Sequence, residues 1–165
     1  MIKTGTLKVT TPGDRDIEMT RVFDAPRKLV YEAMTRPELL RRWFSGPPGW
    51  TLKVREIDLR VGGSYRYVWA GDGIEMGMGG VYLEIDPPGR VVTTEKFDTS
   101  WYPGEAVGTM TLAEVGGKTT LTLRVRYESS EAREAVLKTP MAEGVSAGYD
   151  KLAEFLVTLA EEMKA

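Results

Sequence analysis

The residue best suited to chemistry is Glu95, which lies in a segment of alternating apolar and polar residues. Thr93, Glu95 and Phe97 share one parity, and this parity faces the interior of the predicted sheet. A carboxyl group held away from water has a raised pKa and exchanges its proton near neutral pH. We therefore expect ligand binding or acid–base chemistry at Glu95. The alternative is a structural role, in which a bulge turns Glu95 outward or an arginine such as Arg66 pairs with it.

Several reactive residue types are missing from the 165-residue chain, which contains no cysteine, histidine, asparagine or glutamine. Without cysteine there are no disulfides, thiolate nucleophiles, zinc–thiolate sites or iron–sulfur clusters. Without histidine there is no Ser–His or Cys–His catalysis, and proton transfer falls to carboxylates, phenols and basic side chains. We expect neither a metal nor a cofactor.

Aromatic residues, methionines and one leucine are predicted to line a ligand cavity together with Glu95. Alternation places Tyr65, Tyr67 and Trp69 of one strand inward. It does the same for Val81, Leu83 and Ile85 of the next strand. Tyr, Trp and Met combine apolar surface with a polar tip or a soft sulfur, which suits an adaptable lining. The alternative is that these side chains only fill the sheet. The predicted ligand-binding residues are Trp43, Tyr65, Tyr67, Trp69, Met76, Glu95, Phe97, Trp101, Met110, Tyr149 and Leu152.

A long helix from Pro140 to Lys164 is predicted to cover this lining. Gly144 and Gly148 lie near the edge of its apolar stripe, where each glycine weakens a helix. They indicate either close packing of the helix backbone on a strand or a hollow beneath the helix. The stripe follows the helical period through Val145, Tyr149, Leu152, Leu156, Leu159 and Met163.

Before this helix, the pattern predicts a strand, two short helices and a meander. The first strand, Ile17–Phe23, is predicted to continue a preceding segment Leu7–Val9 as one interrupted strand. Asp24 is predicted to cap the first helix, and Pro37 to separate it from the second. Gly71–Gly80 is predicted to be a mobile hairpin at the cavity mouth. Short Gly- and Pro-containing turns separate the meander strands Leu52–Leu59, Ser64–Trp69, Gly80–Asp86, Val91–Asp98, Ala106–Glu114 and Thr119–Tyr127.

These elements predict an α+β fold in which a curved antiparallel sheet wraps around a long C-terminal helix. Five motifs occur in a fixed order along the chain, at residues 22–26, 35–43, 58–63, 84–88 and 148–152. Together they resemble the START-like, or SRPBCC, superfamily, and within it the domain similar to the C-terminal part of the activator of the ninety-kilodalton heat-shock-protein ATPase. The resemblance implies a single helix-grip domain over residues 1–165, with a hydrophobic cavity between sheet and helix.

The function expected from residues and resemblance together is binding of a small hydrophobic or amphipathic molecule. One alternative is a cyclase- or hydratase-like enzyme that uses Glu95 with Tyr65, Tyr67 or Tyr149; the other is a stress-related co-chaperone. The net charge of −2, without long blocks of one sign, indicates no nucleic-acid partner. Without an apolar membrane span or signal sequence, we expect a cytoplasmic protein with no membrane insertion. A homodimer and a chaperone both remain open as partners.

Overall fold

The structure, a computed structural model, describes residues 6–99 and 102–164 except for the side chain of Arg55. The predicted ligand-binding residue Trp101 lies outside the described residues. Within those ranges the chain forms an antiparallel sheet and helices on one of its faces. The strands are β1 (Lys8–Thr10), β2 (Asp16–Phe23), β3 (Thr51–Ile57), β4 (Ser64–Gly71), β5 (Ile74–Asp86), β6 (Arg90–Phe97), β7 (Ala106–Val115) and β8 (Lys118–Arg126).

The predicted six-stranded meander is confirmed, since β3 to β8 lie side by side in sequence order. Short turns connect these strands, and short turns allow only antiparallel neighbours. The full strand order is β1-β2-β8-β7-β6-β5-β4-β3. The expectation of one interrupted first strand is wrong. β1 and β2 instead form a hairpin, with Val9 opposite Met19. Gly13, at φ +65°, lies in the turn, where glycine adopts a left-handed conformation without a steric penalty.

The glycine-rich stretch Gly71–Gly80 contains the hairpin turn between β4 and β5 and continues into β5, so the predicted hairpin is present, while its mobility stays a prediction. β5 begins at Ile74 and pairs with β4 on one side and β6 on the other. A Cβ atom added at Gly80 would lie 1.9 Å from the backbone oxygen of Thr94. Glycine is therefore present because neighbouring strands approach too closely for a side chain.

A bulge in β5 changes which of its residues face inward. The register against β6 shifts between Tyr82 and Glu84, so the alternation is interrupted at Leu83. Tyr82 is buried, whereas Val81 and Leu83 are exposed. The predicted inward parity is therefore wrong for Val81 and Leu83, although Ile85 packs against the core as expected.

Two pairs of helices flank the meander in sequence. They are α1 (Arg27–Thr35), α2 (Pro37–Trp43), α3 (Ser130–Leu137) and α4 (Met141–Lys164). The predicted break at Pro37 is confirmed, but Asp24 does not cap α1 and instead lies 3.6 Å from Lys118. A stretch long and apolar enough to cross a bilayer occurs in no helix of the described ranges.

α4 covers the sheet with the predicted apolar stripe, apart from two changes. Tyr149, Leu152, Leu156 and Leu159 are buried as expected, while Met163 at the free end is exposed. Phe155 was not in the predicted stripe but is buried. The guanidinium of Arg42 from α2 lies 4.7 Å from its ring centroid, so the pairing with α2 decides its burial.

The core is divided into two hydrophobic clusters on the inner face of the sheet, the face that α4 covers. The main cluster joins α1, α2 and α4 to the strands, with Phe23, Tyr65, Leu121 and Leu152 among its members. The second cluster lies beneath α3. Its buried members are Ile17, Met19, Tyr102, Ala106, Val125, Tyr127, Ala132 and Val136.

Candidate functional site

Glu95 lies on the inner face of β6. Val91, four residues earlier in the same strand, belongs to the main cluster. The pairing of β6 with β7 is regular up to Glu95, so the two side chains lie on the same face of the sheet. The carboxylate extends over Gly108 of β7, where an added Cβ atom would lie 2.2 Å from Oε2. The alternative in which a bulge turns Glu95 outward is therefore wrong. Its side chain is half-buried.

The nearby ionic groups have partners other than Glu95. Arg66 forms a bidentate ion pair with Asp98 on the outer face. Its Nη1 lies 2.9 Å from Oδ1, and its Nη2 donates to Oδ2. On the inner face, Arg21 donates to Asp150 at 2.7 Å. Among the residues that the structure describes, no basic side chain forms an ion pair with Glu95. The structural alternative of a Glu95–Arg66 pair is therefore wrong.

Burial raises the pKa of Glu95 to about 7, because removal from water disfavours the charged form. Several phenols lie within range of its charge. Their pKa values are raised mainly by burial and additionally by the negative charge of Glu95. They belong to β4, to α4, and to the residues just before β7 and just after β8: Tyr65, Tyr67, Tyr102, Tyr127 and Tyr149.

These tyrosines come from both hydrophobic clusters, so Glu95 marks the junction between the clusters. Phe97, Leu123 and Val145 pack against both clusters and are nevertheless only partly buried. Tyr67 is also only partly buried. Side chains in a close-packed interior would be sealed from solvent. The junction is therefore incompletely covered.

Gly148 provides a second sign of incomplete filling. It shares a face of α4 with Leu152, Phe155 and Leu159, all of which are buried. No heavy atom lies within 4 Å of the position that its Cβ would occupy. Close packing of the helix backbone on a strand is therefore not the reason for this glycine. Gly144 likewise has no close neighbour, but it is exposed.

The other predicted ligand-binding residues divide into core residues and one surface residue. Trp43 is 1% exposed and donates through Nε1 to the backbone oxygen of Ala33 at 2.9 Å. Trp69 donates in the same way to the backbone oxygen of Phe44. Met76 is exposed near the start of β5. Those that lie in or against the main cluster are Trp43, Tyr65, Tyr67, Trp69, Phe97, Met110, Tyr149 and Leu152.

Arg21 is a polar residue of the inner face that the sequence analysis missed. It is 4% exposed, and its guanidinium lies 5.3 Å from the ring centroid of Phe23. The missed signal was the alternation of β2. Arg21 occupies an inward-facing position of this strand, between the apolar residues Met19 and Phe23. Its pairing with Asp150 joins β2 to the first half of α4.

Lys151 is a second missed residue, and it fixes the loop after α2. Its Nζ donates to the backbone oxygen of Gly46 at 2.5 Å and to Ser45 Oγ at 3.3 Å. Trp69 holds the start of the same loop through Phe44. This loop is therefore attached to α4 close to Gly148.

The raised pKa of Glu95 predicts a specific dependence of stability on pH. A carboxyl with a folded-state pKa of about 7 and an unfolded value of 4.5 holds its proton more tightly when folded. Stability should therefore fall as pH rises between these two values, and stay level above them. The free energy of unfolding of the wild type should fall by about 2 kcal/mol over this range, after allowing for the partial exposure of Glu95. We expect Glu95→Gln to remove most of this decrease.

Urea unfolding of both proteins across this pH range measures the effect. Glu75→Gln is the control, because Glu75 is an exposed carboxylate that pairs with Lys53 at 3.8 Å. An equal fall in the wild type and in Glu95→Gln would contradict the assignment of the proton to Glu95.

The fold and site define an α+β protein of the helix-grip class, with one long helix over the inner face of an antiparallel sheet. The family model described as "Activator of Hsp90 ATPase homolog 1-like protein" matches residues 24–157. The chain therefore belongs to this family of the START-like, or SRPBCC, superfamily, and the resemblance inferred from the sequence motifs is confirmed.

Solved structures of bacterial proteins support the same assignment. A Rhodobacter sphaeroides protein is 30% identical, with 92% of this chain and 98% of that chain covered and a TM-score of 0.86. A Chromobacterium violaceum protein is also 30% identical, covering 86% and 96%, with a TM-score of 0.72. CalU16 from Micromonospora echinospora is 25% identical, covering 92% and 83%, with a TM-score of 0.61. No protein of curated function matches the chain.

Proposed function

We propose that the chain binds a small hydrophobic or amphipathic molecule between the inner face of its sheet and the N-terminal half of α4. The observation that carries this proposal is the divided core. Phe97, Leu123 and Val145 bridge the two clusters but remain only partly buried. A domain of this size has enough apolar residues for one continuous core, so an incompletely covered junction favours a bound molecule.

The chemistry of the junction favours a ligand that is apolar over most of its surface. Tyr67, Phe97 and Val145 supply aromatic and aliphatic contacts there. Glu95 adds one ionisable group, and no heavy atom lies within 4 Å of the Cβ position of Gly148. Ligand sites commonly combine an apolar lining with a few polar groups that orient the bound molecule.

Native mass spectrometry of the purified protein tests the proposal together with titration by the dye 8-anilinonaphthalene-1-sulfonate. We expect either a co-purified molecule or saturable dye binding with one site per chain. Val157→Lys is the control for dye adsorbed on the surface, because Val157 is 65% exposed on the outer side of α4. The proposal fails if no species is bound and if the dye signal is non-saturable or disappears in Val157→Lys.

A second candidate function is acid–base catalysis at the same place, and the pKa of about 7 at Glu95 favours it. Glu95→Gln cannot exchange this proton, so an enzyme with this substitution would retain its substrate. Native mass spectrometry would then find molecules of different mass bound to the wild type and to Glu95→Gln. The same mass in both proteins would favour binding without a reaction.

A further inference from the structure

We propose that the bound molecule is a cation, namely an amphipathic amine or quaternary ammonium compound whose charged head lies against Glu95 and the surrounding tyrosine rings. The inference rests on the proposed function, because it specifies the chemistry of the ligand at the same junction. Three features of the inner face lead to it: its charge balance, the tyrosine rings near the carboxylate, and the space that the neighbouring strand leaves for the carboxylate.

Among the described residues of the inner face, Glu95 is an ionic group without a partner of opposite charge. Arg21 is matched by Asp150 at 2.7 Å. Glu95, in contrast, forms no ion pair with any basic side chain of the described residues. A half-buried carboxylate without a counter-charge is unfavourable, and a ligand cation would supply the missing charge. An anionic ligand would instead place two like charges in the same region.

Tyrosine rings lie near Glu95, and the hydroxyl of one of them is already engaged. The hydroxyl of Tyr65 donates to the backbone oxygen of Thr94 at 2.7 Å. The Tyr65 and Tyr67 rings lie with centroids 5.1 Å apart. Aromatic faces attract cations, and several rings around one position form the cages that bind quaternary ammonium groups.

The position of the carboxylate is built into the neighbouring strand. The carboxylate of Glu95 extends over Gly108, and any side chain there would overlap Oε2, which would be 2.2 Å from the added Cβ. Because residue 108 of β7 is glycine, the carboxylate of Glu95 occupies the position on the inner face that an aliphatic side chain would otherwise fill. A group placed in this way, among tyrosines from both clusters, suits recognition of a positive charge.

Three probes with the same alkyl chain test the inference: decyltrimethylammonium, decanol and decanoate. Each is titrated calorimetrically below its micelle-forming concentration at about pH 8, where Glu95 is mostly ionised. We expect the wild type to bind decyltrimethylammonium about tenfold or more tightly than decanol, and decanoate least tightly. In Glu95→Gln, the preference for the cation over decanol should disappear, while the affinity for decanol is kept.

The pH dependence gives an independent measurement, because decyltrimethylammonium has a fixed charge. Its affinity should rise about tenfold between about pH 6 and 8 as Glu95 loses its proton, and stay level in Glu95→Gln. The pKa values of the facing tyrosines are raised, so these groups titrate above this range, and the facing Arg21 is paired with Asp150. Glu75→Gln controls for cation binding to the acidic surface and should behave as the wild type.

The possible results separate this inference from the proposed function. Equal affinity for the three probes in the wild type, or a preference for decanoate, would overturn the cationic ligand but leave the binding site in place. A cation preference that survives in Glu95→Gln would place the recognition elsewhere and also overturn the inference. Absence of saturable binding for every probe would overturn the proposed function itself.

Discussion

Replacing Gly148 with leucine is expected to reduce ligand binding by about a hundredfold or more while leaving the protein at least as stable as the wild type. Gly148 lies on the buried face of α4, and no heavy atom lies within 4 Å of its would-be Cβ. A leucine would therefore meet no collision at its first atom and would extend into the proposed binding space. Removing a glycine from a helix interior also adds about 1 kcal/mol of stability.

Gly144→Leu is the matched control for this variant. Gly144 is in the same helix and has equally open surroundings, but it is exposed. It should give a similar gain in thermal stability without loss of binding. Dye titration and thermal unfolding of the two variants measure both effects. Equal binding by Gly148→Leu and the wild type would show that the space beside Gly148 is not where the molecule lies.

The second large effect is expected from Trp43→Ala, which should lower the free energy of unfolding by about 3–5 kcal/mol. Trp43 is 1% exposed and lies against Phe44 and Tyr149, with ring centroids 5.0 Å and 6.4 Å away. The substitution also removes the hydrogen bond to the backbone oxygen of Ala33. The loss of packing and the unsatisfied carbonyl both act against the folded state.

Denaturant unfolding measures this change, and Trp50→Ala is the matched control. Trp50 is only partly buried in the loop after α2, so the same truncation there should cost about 1–2 kcal/mol. Trp43 was predicted from the sequence to bind ligand, whereas the structure places it within the core. A small loss of stability in Trp43→Ala together with a large loss of ligand affinity would instead favour the ligand-binding role.

Much of the fold could be predicted because its signals are local. In β8 and just after it, Leu121, Val125 and Tyr127 alternate with polar residues and are buried on the predicted face. Ser129 accepts from the backbone N–H of Ala132 at 3.0 Å and so caps α3 through a residue three positions away. Alternation, helical period, capping and turn residues act over a few positions, and these positions are adjacent in the sequence.

The inward orientation of Glu95 was also available from the sequence. β6 pairs regularly with β7, so the parity counted from Val91 holds as far as Glu95. The same counting failed on β5, where an extra residue at Leu83 interrupts the pairing with β6. A bulge depends on the neighbouring strand as much as on its own sequence, so alternation alone did not reveal it.

The sequence by itself determined which chemistry is present: carboxylates, phenols and arginines, without thiol or imidazole groups. Only the tertiary structure decided how those charges are paired. Arg21 meets Asp150 across 129 positions of the chain, and Arg66 meets Asp98 on the outer face. Glu95 is therefore left without a basic partner among the described residues. Such pairing depends on which strands and helices lie side by side, and the long-range packing that brings them together is not encoded in local spacing.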